Sequence, residues 1–240
     1  GSTRKVTLGA RQRTVGAIKS PVIRHHIVPK GGTGECSYSR CEDPHSVQGL
    51  RIQVREFVGN HVKVRLWQRE IDALGVGPDA VSVVLDDGRM TEAARVWFIL
   101  QYFGLPVVVL NGGLAVLDRT PHQAPGRTEP LTLKPGSGRV GLKDRAGLKA
   151  ELEHVQVFDA RSAAEFRGED LKGNARGGHL PGAAHLSHEA LLDGTHLRPV
   201  AELAGMFDAA GLDGFRPIVS HCNGGGRAAL AALAAVLAGR

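Results

Sequence analysis

Short apolar runs alternate along this chain with longer stretches in which apolar residues recur every three or four positions. Val81-Ser82-Val83-Val84-Leu85 is apolar and β-branched almost throughout, the pattern of a strand covered on both faces. Ala93, Val96, Trp97, Leu100 and Phe103 then fall at helical spacing, with Gly104 where a C-terminal cap belongs. Leu105-Pro106-Val107-Val108-Val109-Leu110 predicts a second buried strand, so the three elements make a parallel crossover unit. The order returns later as Pro217-Ile218-Val219-Ser220-His221, a loop, and a helix through Leu230, Leu233 and Leu237. The predicted fold class is α/β in both halves.

The return is a repeat. Sliding the chain by 136 positions lays Asp72-Ala73-x-Gly75 on Asp208-Ala209-x-Gly211, Val83 on Val219, Gly88 on Gly224 and Ala93 on Ala229. Between the copies lie Pro121, Pro125, Pro130 and Pro135-Gly136-Ser137-Gly138, the composition of a linker on the surface. The predicted organisation is a first domain over 1–118, a linker over 119–150 and a second domain over 151–240. Under the same offset Gly104 falls on Arg240, so the second copy is expected to stop before its last strand and Gly-Gly turn.

The formal net charge of +6 invites a nucleic-acid reading. The basic residues are scattered, however, and two Trp and two Tyr are too few for a base-stacking platform, so no nucleic acid is expected. No apolar run approaches a membrane span and the N-terminus lacks the core of a signal peptide, which predicts a cytoplasmic protein without a membrane partner. Three cysteines, Cys36, Cys41 and Cys222, argue against a disulfide framework. Cys36-x4-Cys41-x3-His45 is the one metal-like spacing. It lacks a second pair, and two free thiols in a polar loop is the preferred reading.

Cys222 lies 136 positions after Asp86, in His221-Cys222-Asn223-Gly224-Gly225-Gly226-Arg227, between a predicted strand and a predicted helix. Ligands of open parallel sheets bind beyond the carboxyl ends of strands, where helix N-termini offer unpaired amides. A thiol there is expected to be an active thiolate. Gly224, Gly225 and Gly226 allow several N–H groups to converge on one centre, and Asn223 completes the loop. Arg227 can offset the charge of an arriving oxyanion or pair with a carboxylate that holds the loop's shape.

Three separate motifs carry a family resemblance. Val157-Phe158-Asp159-Ala160-Arg161 resembles the opening strand and Asp-x-Arg turn of rhodanese domains, Gly178-His179-Leu180-Pro181-Gly182-Ala183 their Gly-His-Ile-Pro-Gly-Ala signature, and Cys222-x-x-Gly225-x-Arg227 their active-site loop. The whole chain is similar to tandem-domain sulfurtransferases of the thiosulfate and 3-mercaptopyruvate type. The first half carries the likeness through Val83 to Gly88, Ala94-Arg95-Val96-Trp97 and Val109-Leu110-Asn111-Gly112-Gly113. Asp86 replaces its cysteine, so that copy is expected to be inert, divergent and incomplete toward its N-terminus, where His26-Ile27-Val28-Pro29-Lys30-Gly31 only loosely echoes the signature.

The resemblance implies sulfur transfer through a Cys222 persulfide, with substrate held by the loop from Asn223 to Arg227. The donor is a small molecule and the acceptor cyanide or a thiol; no metal or organic cofactor is required. Asp159 and Arg161 are possible supporting residues that more often pin a turn. His179 is read as structural, and His221 as pointing away from Cys222. Tandem enzymes carry an anion-binding Arg six residues after the motif Asp, where this chain has Glu165. Two other readings stay open: a rhodanese-like sulfur-carrier or regulatory module, and a Cys-dependent phosphatase or arsenate reductase. The phosphatase loop places five residues between Cys and Arg, against four here.

Overall fold

A computed structural model of the chain describes residues 61–74, 76–77, 81–116 and 131–240. Cys36, Cys41, His45 and the echo at His26 lie outside the described residues, as do residues 119–130 of the predicted linker.

The first half opens with α1 (His61–Leu74), whose Val64, Trp67 and Ile71 recur at helical spacing and turn inward. The β1 strand (Ser82–Val84) pairs in parallel with β2 (Val107–Val109), with Val83 opposite Val108. Helix α2 (Thr91–Tyr102) crosses between them and buries Ala93, Val96, Trp97 and Leu100, as the period requires. Gly104 follows with φ +73°, the left-handed turn that glycine supplies just past a helix. The expectation of strands covered on both faces needs correction. Val108 is exposed, so the face of β2 to which it points is left open to solvent, while Val107 is buried.

The segment that returns from the linker also departs from a purely surface path. Leu133 is buried, and the Gln68 carboxamide brackets it, donating to Leu131 O at 2.6 Å and accepting from Leu133 N at 2.9 Å. Helix α3 (Arg145–Ala150), capped by Asp144, then leads into the second half.

There a parallel sheet runs in the order β4-β3-β7, from β3 (Gln156–Asp159), β4 (Ala184–His185) and β7 (Ile218–His221). The register sets Asp159 beside His221. Helix α4 (Ala163–Arg167) follows β3, and a hairpin of β5 (Leu192–Asp193) and β6 (His196–Leu197) precedes α5 (Val200–Ala209). The alanine-rich α6 (Gly226–Leu237) is buried around much of its circumference, which the small side chains permit. The α/β fold with parallel sheets is therefore as predicted, and β1, α2, β7 and α6 keep the 136-residue offset to within about one residue at their ends.

Helices α2 and α6 pack on each other. One apolar cluster in consequence joins Trp97 and Leu100 of the first half to Phe158, Phe207 and Leu230 of the second. Full burial of side chains this size contributes roughly 2 kcal/mol each. Among the described residues no helix is long and apolar enough to cross a membrane.

Candidate active site

Strand β7 ends at His221, and Cys222 begins the turn into α6. Helix α6 has no side-chain cap, since its N-cap is Gly225 at φ +90°, so its first amides are free to bind something else. Two turn inward. Gly225 N donates to Cys222 Sγ at 3.1 Å and Ala228 N at 3.4 Å. The sulfur is half-buried while Asn223, Gly224 and Gly225 are exposed, giving an ionised sulfur both a positive helix end and a route to solvent.

Arg227 reaches across to α4. Its guanidinium forks onto Glu165, Nη1 to Oε2 at 2.5 Å and Nη2 to Oε1 at 2.9 Å. Of the two sequence options for Arg227, the carboxylate partner is the one found. Glu165 is buried at the start of α4, where it also closes a capping box with Ser162. The Arg227 hydrogen bonds outweigh the burial cost and hold its carboxyl down at about 2. Glu165 raises the Arg227 guanidinium in turn. This pair ties the first turn of α6 to α4.

Asp159 and Arg161 form a second brace. Asp159 is fully buried and accepts from Arg161 N, Nε and Nη2 at 2.6 to 3.1 Å, and Arg161 Nη2 also donates to Gly178 O at 2.8 Å. Burial would raise the Asp159 carboxyl, but the close approach of His221 and the hydrogen bonds from Arg161 hold it far below the usual carboxylate range. His221 Nε2 lies 3.3 Å from Asp159 Oδ2, so its ring is committed to the neighbouring strand. His179 stacks on Phe166 at 3.8 Å, and its Nδ1 meets Phe166 O at 2.9 Å. These residues fasten the turns behind the loop, and none is brought to the sulfur by a hydrogen bond.

The open side of the loop faces the other half of the chain. Thr91, Glu92 and Arg95 of α2 line a cleft of about 130 Å³ with Cys222, Gly224 and Arg227. Arg95 Nη2 donates to Gly224 O at 2.6 Å, and its Nη1 lies 3.3 Å from Glu92 Oε2. Asn223 accepts a hydrogen bond from Asn174 Nδ2 at 3.0 Å. Among the described residues no group of three His, Cys, Asp or Glu side chains is arranged to hold a metal ion.

Residues 144–240 match the family model of the rhodanese-like domain. This half of the chain is therefore a rhodanese-like domain. Over 171 residues it is 33% identical to the 3-mercaptopyruvate sulfurtransferase of Escherichia coli strain K12, covering 67% of this chain and 60% of that protein. Over 183 residues it is 32% identical to the thiosulfate sulfurtransferase of Bos taurus, covering 71% and 61%. The chain thus spans about three fifths of the length of these curated relatives. It also superposes on SseA of Escherichia coli, a 3-mercaptopyruvate sulfotransferase structure, with TM-score 0.69 at 24% identity over 93% of this chain and 89% of that one, which shows a shared fold.

Within this domain the structure gathers Cys222, Asn223, Gly224, Gly225, Gly226 and Arg227 into one turn and sets Asp159 and Arg161 behind it. Sequence reasoning noted Glu165 only as the lack of an expected arginine. Its signal was present, a Glu three residues after Ser162 in a capping-box pattern. Arg95 lies in the matching segment Ala94-Arg95-Val96-Trp97, whose resemblance gives it no role. A lone cation between Ala93-Ala94 and Val96-Trp97, all buried, was the available clue.

Proposed function

We propose that this chain is a sulfurtransferase in which Cys222 accepts a sulfane sulfur from thiosulfate or 3-mercaptopyruvate and passes it to cyanide or a thiol. The observation that carries this is the Cys222 sulfur receiving two backbone N–H groups at the uncapped N-terminus of α6, beside an open cleft. The thiolate attacks the outer sulfur of the donor, a new S–S bond forms, and the donor's own bond to that sulfur breaks. Sulfite leaves from thiosulfate; from 3-mercaptopyruvate the carbon fragment leaves as an enolate and takes up a proton to give pyruvate. The negative charge now sits on the outer sulfur, within reach of the loop amides. The acceptor attacks that atom and returns Cys222 to the thiolate. Neither step needs a redox partner or a metal.

In the same reading the bounds 1–118, 119–150 and 151–240 describe an inert unit, a connection and a catalytic unit, with Asp86 unable to form a persulfide. The curated relatives' names favour this class of reaction. Against the phosphatase reading, the Arg227 fork is taken up by Glu165 and is not free to cradle a phosphoryl group.

Intact mass after incubation with each donor tests the proposal. The expected result is a gain of one sulfur atom that cyanide reverses and Cys222→Ser abolishes. No gain with either donor, or release of phosphate from an aryl phosphate, would overturn it.

A further inference from the structure

The cleft wall supplied by α2 is not needed to build the nest, yet it touches the loop at one informative atom. Arg95 Nη2 donates to Gly224 O at 2.6 Å, and Gly225 N donates to Cys222 Sγ at 3.1 Å. That carbonyl and that N–H belong to one peptide unit, which is planar and trans, so they point in opposite directions. Holding the oxygen therefore aims the hydrogen. Nothing else in the loop does so locally: Gly224 and Gly225 have no side chains, are exposed, and rotate at low cost. Arg95 is itself constrained by Glu92, and its Nε is buried with no acceptor among the described residues. A donor left unsatisfied in this way costs free energy, so the guanidinium is not placed for local stability alone.

We propose that Arg95, contributed by the first half of the chain, is the positioning residue that fixes the Gly224–Gly225 peptide so that its N–H stabilises ionised sulfur at Cys222. The proposal deepens the sulfurtransferase reading, since the same amide serves the thiolate before transfer and the persulfide after it. It also gives α2 a part in the chemistry of a site that lies 129 residues further along the chain.

The test follows alkylation of Cys222 by iodoacetamide in the full chain, read at the Cys222 peptide by mass spectrometry, so that Cys36 and Cys41 do not contribute. Arg95→Met is expected to slow the reaction about tenfold at about pH 6 and to converge with the unsubstituted chain by about pH 9, above the ordinary thiol value of about 8.5. Added guanidinium ion should recover part of the loss. Gly226→Ala is the second variant, because a Cβ there would stand 3.1 Å from Arg95 Nη2 and displace it with its charge intact. It should give a smaller deficit with the same dependence on pH. Unchanged profiles in both variants, or slowing by one factor at every pH, would overturn the proposal. If the chain takes up no sulfur from any donor, the sulfurtransferase reading fails while the alkylation profiles still decide the role of Arg95.

Discussion

Asp86 and Cys222 stand at matched positions, each just past a parallel strand and ahead of a long buried helix, and each gathers backbone amides. Asp86 takes four. Its Oδ1 accepts from Gly88 N and Met90 N, and its Oδ2 from Glu92 N and Ala93 N, all within 3.1 Å. It is 2% exposed, sealed beneath its own loop. Cys222 takes two, at the greater reach of sulfur, and stays half-buried under an exposed loop. The backbones differ accordingly. Met90 adopts φ +62°, strained by about 1 kcal/mol for a residue with a Cβ and offset by the bond its N–H makes to Asp86. In the second loop Gly225 makes the left-handed turn, and the helix begins one residue earlier by the 136-residue offset. An amide nest filled by its own side chain is a helix cap, whereas a nest with a single sulfur at its centre keeps room for a visiting atom.

The sharpest way to break this comparison is to exchange the two residues. Cys222→Ser is expected to reduce single-turnover sulfur uptake at least a thousandfold, and Asp86→Cys in that background should not restore it. Mass gain in the double variant would show that the first nest is a working site. Asp86→Ala leaves four inward amides without their acceptor and is expected to lower stability by about 3 kcal/mol in denaturant unfolding. Glu165→Gln weakens the Arg227 fork by about 1.5 kcal/mol, and sulfur uptake should fall roughly tenfold with little change in fold, read by stopped-time mass analysis.

The smallest effect is one of pH. Glu165 is held at about 2 in the folded chain against 4.5 ordinarily, and Asp159 is displaced in the same direction. Both are lowered, so their contribution is complete above about pH 5 and is lost as the pH falls toward about 2. Acid unfolding followed by circular dichroism should therefore be shallower for Glu165→Gln than for the unsubstituted chain.

The strand-to-helix units were legible because their signal is local: β-branched runs, an apolar stripe of one period, and glycines at the turns. The 136-residue offset added the correspondence of Asp86 with Cys222 without any structure. The pairs that shape the site were not legible, since Arg227 with Glu165 and Arg95 with Gly224 join positions 62 and 129 residues apart, and no periodicity connects them. The two-residue strands β4, β5 and β6 are too short to show alternation. Helix α1 was hidden for another reason. Its apolar stripe is narrow, carried by Val64, Trp67 and Ile71, while charged residues such as Arg65, Arg69 and Glu70 occupy much of the rest of its surface.

The apolar cluster that runs from α2 into α6 has a meaning for how such a chain can change over generations. Deleting the first half would bare to water the side of α6 that packs on α2 and leave a sticky face where a helix had been. A substitution at Asp86 or elsewhere in the first loop leaves that face covered, whereas removal of the whole half does not. The arrangement behaves as a ratchet: side chains can change on either side of the seam, while the seam itself obliges both sides to be inherited together.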